Sequence, residues 1–158
     1  MGFFSMIKEI ICDYNHSDYG ARVVVDRQTG IVEKYFSVGA LQKRPGLIKR
    51  EVFWLKELES FDRTPKLISY DYDKNVVIMS YMGTPLTKKN IPSDFEQQIQ
   101  YIVSEFEKFQ CSHNDIKPTE LLVLGGNINI IDFAWTTKIG EPIPVSYTHL
   151  TLPTICSV

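Results

Sequence analysis

Short runs of β-branched residues, separated by turn-forming residues, dominate the first half of the chain. The run at 22–26 (RVVVD) is followed by RQTG and then by 31–36 (IVEKYF), a pattern that predicts a β-hairpin. A second pair of strands is predicted at 65–70 and 75–82, and Gly83-Thr84-Pro85 ends it. We therefore expect the first half of the chain to form an antiparallel sheet.

Apolar residues spaced three or four positions apart predict two amphipathic helices. The first begins after Pro45-Gly46 and has apolar residues at positions 47, 48, 52, 55 and 58. The second begins after Pro92 and has them at positions 95, 99, 102, 103, 106 and 109. Ser93 and Glu96 have the spacing of a capping box, in which the serine hydroxyl accepts from a backbone N–H three residues on. Each helix is expected to pack one face on a core.

Two short apolar runs after the second helix predict a small hairpin. They lie at 121–124 and 128–131, with Gly125-Gly126-Asn127 between them. The full order is then strands, a helix, strands, a linker near 82–88, a helix and a hairpin. This order predicts an α+β fold of two lobes. We expect an N-terminal lobe at 1–82 and a partial C-terminal lobe at 83–144.

The last fourteen residues, 145–158 (VSYTHLTLPTICSV), do not continue the preceding pattern. They resemble the translation of a transposase-type sequencing adapter, since GTC TCT TAT ACA CAT CTG ACG CTG CCG ACG encodes residues 145–154. Such a scar is excluded from fold reasoning. We therefore expect residues 1–144 to be a truncated native fragment and 145–158 to contribute nothing to the fold. Truncation is expected to leave the apolar stripe of the second helix (Phe95, Ile99 and Phe106) without covering helices.

Composition and charge narrow the setting without identifying a function. With 44% hydrophobic and 23% charged residues, the 158-residue chain has the balance of one globular domain. The net charge of −2 gives no basic footprint, so nucleic acid is not an expected partner. No apolar run is long enough for a membrane span, and no signal peptide is expected. Three scattered cysteines, Cys12, Cys111 and Cys156, form no metal or disulfide pattern, which favours a cytoplasmic protein.

Two polar motifs flank the glycine-rich hairpin. Residues 111–120 read CSHNDIKPTE and residues 130–135 read IIDFAW, which places Asp115 and Asp132 17 positions apart. The first motif resembles the catalytic loop of protein kinases, and Asp132-Phe133-Ala134 resembles their magnesium-binding triplet. In that comparison His113 is expected to brace the loop through backbone contacts rather than to bind a metal. The ordered pair of motifs is far more specific than either one alone.

Two residues upstream agree with this resemblance. Lys34 lies late in the second predicted strand, where kinases have a lysine that contacts the phosphates. Glu51 follows 17 positions later on the next helix, where the ion-pair partner of that lysine belongs. The resemblance spans about residues 7–140. Taken singly, each of these residues also has an ordinary explanation as a charge on a strand, helix or turn.

The resemblance implies a role for each residue. Asp132 would hold Mg²⁺, Lys34 would contact the α- and β-phosphates of ATP, and Glu51 would fix the position of the lysine. Asp115 would accept or orient the proton of a substrate hydroxyl. Lys117 would offset the charge that develops on the transferred phosphoryl group. The implied cofactors are ATP and Mg²⁺.

The resemblance also implies a nucleotide-binding hinge and a phosphate loop. The segment at 78–82 (IMSYM) resembles the hinge that holds adenine, so Tyr81 and Met82 are candidate nucleotide contacts. The phosphate loop falls between the first two strands of the resemblance, where Ser17 and Gly20 are the candidate contacts.

Three positions depart from the family pattern. The phosphate loop at 15–20 (NHSDYG) contains a single glycine, and Ala134 replaces the usual glycine of the metal triplet. Glu120 occupies the position of the asparagine that normally serves as the second metal ligand. Glutamate supplies suitable oxygen atoms, but it adds length and negative charge.

These features predict an ATP- and Mg²⁺-dependent phosphotransferase that acts on a hydroxyl group. Lys117-Pro118 favours a serine or threonine of a protein, while sugars and other small molecules remain open as substrates. The alternative is a pseudokinase, a module that binds a nucleotide or a partner without turnover. The fragment itself is expected to be inactive because its second lobe is incomplete.

Overall fold

The computed structural model describes residues 8–12 and 21–142. Ser17, Gly20 and the adapter-like residues 145–158 lie outside the described residues, so the predictions made for them remain predictions. Within the described part, the fold is mixed α+β, with an antiparallel sheet and three α-helices. None of these helices is both long and apolar enough to cross a bilayer.

A five-stranded antiparallel sheet forms the first half of the fold. Its order is β1-β2-β3-β5-β4. The strands are β1 (Lys8–Cys12), β2 (Ala21–Asp26), β3 (Ile31–Phe36), β4 (Leu67–Asp71) and β5 (Val76–Ser80). The structure confirms the two strand pairs that were predicted for this sheet. The residue pattern did not predict β1, although the resemblance implied a strand before the loop at 15–20. Asp26 closes the β2–β3 turn because its carboxylate accepts from the backbone N–H groups of Gln28 and Thr29, at 3.0 and 3.3 Å.

Three helices accompany the sheets: α1 (Val38–Lys43), α2 (Leu47–Glu57) and α3 (Phe95–Lys108). Sequence periodicity predicted α2 and α3, whereas the short six-residue helix α1, capped by Ser37, was missed. The predicted capping box of α3 is wrong. Asp94 occupies the N-cap and makes no capping hydrogen bond, because its carboxylate instead accepts from the side chain of Gln98 at 2.8 Å.

Two small sheets complete the described fold. One has the order β6-β8-β9 and contains β6 (Thr84–Pro85), β8 (Leu121–Leu124) and β9 (Asn127–Ile130). The other pairs β7 (Cys111–Ser112) with β10 (Thr137–Lys138). Gly83, just before β6, has φ of +117°, and a Cβ at this position would collide with the backbone carbonyl of Val123. Only glycine allows this close approach of the two strands.

One hydrophobic cluster contains residues from both predicted lobes. Leu55 on α2, Ile102 on α3 and Ile130 on β9 are all at most 1% exposed and belong to it. Polar contacts also join the two predicted lobes, since the Ile130 N–H donates to the carbonyl of Arg63 at 2.8 Å. The division into lobes at residue 82 stays a prediction.

The apolar stripe of α3 faces this core. Phe106 is buried, and Phe95 and Ile99 pack against the cluster as partly buried side chains. The expectation of a bare stripe is therefore wrong at Phe106. The hairpin of β8 and β9 contributes to the cluster that covers the helix, and sequence periodicity could not show that contact.

Ile102 and Val103 offer a matched test of this packing, because they are adjacent β-branched residues on α3. Ile102 is 1% exposed, whereas Val103 is 41% exposed. We expect Ile102→Ala to lower the free energy of unfolding by roughly 2–5 kcal/mol, since it leaves a cavity, and Val103→Ala to change it by less than about 1 kcal/mol. Urea denaturation followed by circular dichroism measures both. Equal losses would show that α3 does not pack as described.

Candidate active site

Lys34 and Glu51 form a buried ion pair between the sheet and α2. Lys34 lies on β3, an interior strand between β2 and β5, and its Nζ is 2.8 and 3.1 Å from the two carboxylate oxygens of Glu51. The side chains are 13% and 1% exposed. A buried carboxylate is costly without a counter-charge and hydrogen bonds, and the lysine supplies both. Neither residue is therefore an ordinary surface charge, and the predicted contact between them is confirmed.

Asp132 meets the same lysine from the segment after β9. Its Oδ1 lies 3.5 Å from Lys34 Nζ. Burial by itself lowers the pKa of Lys34, but Asp132 and Glu51 outweigh it and hold that pKa above its usual value. Burial alone would raise the pKa of Asp132, yet Lys34 and the hydrogen bond from the Ala134 N–H hold it below the ordinary range. Burial raises the pKa of Glu51, and Lys34 offsets only part of that effect.

The backbone around Asp132 aims this carboxylate. Asp132 has φ of +68°, in the left-handed region that aspartate tolerates better than most residues. Phe133, which is fully buried, anchors the next position, and the Ala134 N–H donates to Asp132 Oδ1 at 3.4 Å. Ala134 itself does not have a positive φ, so the alanine causes no strain in this turn.

His113 braces the segment 113–117 from inside the protein. Its Nε2 lies 2.9 Å from the carbonyl of Ile131, and its Nδ1 accepts from the backbone N–H of Asp115 at 3.2 Å. These partners require a neutral ring with the proton on Nε2. Burial lowers the pKa of His113, which also favours the neutral ring. The structure thus confirms the bracing contacts predicted for His113.

Lys117 lies between the carboxylates of Asp115 and Glu120. Its Nζ is 3.1 and 3.2 Å from the oxygens of Asp115 and 3.6 Å from Oε1 of Glu120. The one-turn 3₁₀ helix Pro118–Glu120 brings Glu120 back toward the loop. Burial raises the pKa of Glu120 well above its usual value, and the nearby Asp132 raises it further. Burial lowers the pKa of Lys117, but Glu120 and Asp115 raise it more strongly.

Asp115, Glu120 and Asp132 together have the spacing of a cation site. One carboxylate oxygen from each residue lies within 4.8 Å of the other two. Ligands on opposite sides of Mg²⁺ or Ca²⁺ are roughly 4–5 Å apart, given metal–oxygen distances of about 2.0–2.6 Å. The three carboxylates therefore have the spacing of oxygen ligands around one hard divalent cation. Asp132 and Glu120 were the predicted metal ligands, and Asp115, the predicted base, lies beside them.

Tyr81 and Met82 follow β5, and part of their backbone is already bonded within the protein. The Tyr81 N–H donates to the carbonyl of Gly30 at 2.8 Å, and the Met82 carbonyl accepts from the Asn129 side chain at 2.8 Å. Sequence reasoning missed Asn129. Its signal in the sequence was an amide between Ile128 and Ile130, and the side chain is only 4% exposed. Adenine contacts at Tyr81 and Met82 stay a prediction.

A separate surface pocket of about 370 Å³ contains none of the predicted site residues. It is lined by Gly46, Lys49, Arg50, Phe53, Trp54, Lys138 and Glu141. Because it contains neither the carboxylate cluster nor Lys34, it is not the candidate active site.

Comparison with known proteins adds no relative to these observations. No protein-family model matches the chain. No curated protein matches it significantly either. The resemblance to protein kinases therefore rests on the residues and contacts described above.

Proposed function

We propose that this chain is the ATP-binding part of a protein-kinase-like phosphotransferase that transfers phosphate to a hydroxyl group. The observation that carries the proposal is a single contact network. Lys34 pairs with Glu51 and lies 3.5 Å from Asp132, whose carboxylate is within 4.8 Å of those of Asp115 and Glu120. Residues that are distant along the chain thus meet at one place, with one lysine beside a cluster of metal-binding oxygens.

The network suits phosphoryl transfer because that reaction depends on positioning and charge stabilisation more than on covalent chemistry. Bound Mg²⁺ would neutralise charge on the phosphate oxygens, and Asp132 and Glu120 would hold it. Lys34 is fixed by two contacts with Glu51 and offers its ammonium group to the phosphates. Asp115 is oriented by Lys117 and would accept the proton of the substrate hydroxyl.

The two-lobed kinase fold is part of the same proposal. The five-stranded sheet with α2 corresponds to the nucleotide-binding lobe, and α3 with the β8–β9 hairpin corresponds to the start of the second lobe. Residues 82–88 would connect the two lobes, and the hinge at 78–82 would contact adenine. Lys117-Pro118 favours a protein serine or threonine as the substrate over a sugar or another small molecule.

Glu120 favours a second candidate function, a pseudokinase that binds a nucleotide without turnover. Its carboxylate is buried beside Asp132, where it adds negative charge to a site that must also accept phosphates. The single glycine at 15–20 points the same way. Both candidates require nucleotide binding, and only the first requires phosphate transfer.

Magnesium dependence of ATP binding tests what the two candidates share. We expect the 158-residue chain to bind ATP at least tenfold more tightly with Mg²⁺ than without it, since the metal links carboxylates to phosphates. Asp132→Asn should remove most of this difference, and Asp73→Asn, at an exposed turn residue, should preserve it. Isothermal titration calorimetry measures each affinity. Equal affinities with and without Mg²⁺ in the unaltered chain would contradict the proposal.

Substitutions can distinguish the contribution of the Lys34–Glu51 pair to stability from the contribution of Lys34 to ATP binding. Lys34→Met leaves Glu51 buried without a counter-charge, so we expect it to destabilise the fold by roughly 2–4 kcal/mol and to weaken ATP binding. Adding Glu51→Leu to Lys34→Met should restore much of the stability but none of the affinity. Lys8→Met is the control, because it breaks the exposed Lys8–Glu33 pair and should cost less than about 1 kcal/mol.

Thermal and urea denaturation of the single, double and control variants measure stability, and calorimetry measures ATP binding. Recovery of both stability and affinity in the double variant would show that Lys34 acts only as the counter-charge of Glu51.

Turnover distinguishes the kinase from the pseudokinase. In the longest natural chain that contains these motifs, Asp115→Asn should reduce phosphate transfer at least 100-fold and change ATP affinity less than about fivefold, since it removes the base. Transfer of ³²P from ATP to mixed protein and sugar acceptors measures the reaction. ATP binding without any transfer by the unaltered protein would favour the pseudokinase.

A further inference from the structure

Asn114, directly before Asp115, connects two segments of the site through its side chain. Its Oδ1 accepts from the Ser112 hydroxyl at 2.7 Å. Its Nδ2 donates to the Trp135 carbonyl at 3.0 Å and to Thr137 Oγ1 at 2.9 Å. The carbonyl of Trp135 can only accept, so the nitrogen must face it, and this fixes the orientation of the amide.

These hydrogen bonds lie beside both catalytic aspartates. Asp115 is the next residue after Asn114, and Asp132 precedes Trp135 by three positions. The backbone pairing of Ser112 with Thr137 joins the same two segments. The Asn114 amide therefore adds side-chain hydrogen bonds to the backbone pairing of β7 with β10. This pairing joins the segment that carries Asp115 to the segment that carries Asp132.

The backbone of Asn114 explains why this residue type is suited to the position. Its φ is +67°, in the left-handed region where asparagine is favoured among residues with a side chain. Glycine would accept this conformation but make no side-chain contact. Aspartate would accept it less comfortably and would turn an oxygen toward the Trp135 carbonyl.

We propose that Asn114 is a positioning residue that sets the separation of Asp115 and Asp132 through the hydrogen bonds of its amide. The role in nucleotide binding rests on the function proposed above. Thr136 and Thr137, the hydroxyl residues of the segment that Asn114 holds, are 0% and 2% exposed. The segment that Asn114 holds is therefore packed inside the protein at these two residues.

Asn114→Gly tests the proposal, because it keeps the left-handed backbone and removes the hydrogen bonds. Asn75→Gly is the matched control, since Asn75 also has a positive φ, of 54°, but lies in the β4–β5 turn. Hydrogen exchange by NMR in the nucleotide-free chain reports on the segment. The amides of Thr136 and Ile139 are suitable probes, as both donate to backbone carbonyls. We expect Asn114→Gly to speed their exchange roughly tenfold or more and Asn75→Gly to leave it unchanged.

Calorimetry with Mg²⁺ and ATP provides the second measurement. Asn114→Gly should weaken binding at least fivefold, and Asn114→Asp should weaken it as well, although it conserves shape. Asn75→Gly should bind as tightly as the unaltered chain. Global stability, measured by urea denaturation, separates this effect from simple loss of folding.

Unchanged exchange at Thr136 and Ile139 in Asn114→Gly would overturn the proposal. Faster exchange with unaltered affinity would overturn it too, because the hydrogen bonds would then hold the segment without positioning the site. A chain that binds no nucleotide at all would refute the proposed function. In that case exchange alone decides whether Asn114 holds the two segments together.

Discussion

The buried carboxylate of Glu51 is the constraint on which the arrangement of the site depends. An ionised group that is 1% exposed must have a counter-charge, and Lys34 provides it from the adjoining sheet. This requirement fixes the rotation of α2 against β3 and β5. Because the same lysine also lies 3.5 Å from Asp132, it connects the first half of the fold to the segment after β9.

Charge balance explains why a cation suits this site. Four carboxylates (those of Glu51, Asp115, Glu120 and Asp132) share two ammonium groups, those of Lys34 and Lys117. Burial offsets part of the excess by raising the pKa of Glu120. A divalent ion among the three clustered carboxylates would offset the rest and strengthen every interaction with an incoming phosphate. The negative charge of these carboxylates destabilises the site when no cation is bound, and the same charge would bind the metal of a metal–nucleotide complex.

A second layer of contacts holds the residues of the candidate site in place. His113 stacks on Phe106 of α3, meets Phe133 edge-on and bonds to the carbonyl of Ile131. Trp54 of α2 donates to the carbonyl of Thr136 at 2.8 Å, so the helix that carries Glu51 also holds the segment after Asp132. Helix and loop are therefore coupled through the core as well as through the ion pair.

The amino-acid sequence by itself determined most of the secondary structure, because alternation and three-to-four spacing report which face of each element is buried. It also singled out Lys34, Glu51, Asp115 and Asp132, since their spacing follows a known pattern. It gave the wrong cap for α3. The sequence pattern favoured Ser93 as the N-cap, but Asp94 occupies that position and accepts from the Gln98 side chain.

Only the tertiary structure decided which polar side chains are buried and what they contact. Glu51 is an unremarkable helix charge until the sheet covers it. Asn114 and Asn129 look like ordinary turn and strand residues, yet they bond to groups 21 and 47 positions away. Periodicity describes neighbours along the chain, whereas these contacts depend on how separate elements pack. The sequence therefore identified the charged groups of the candidate site, and the fold determined which amide side chains bond to the segments around those groups.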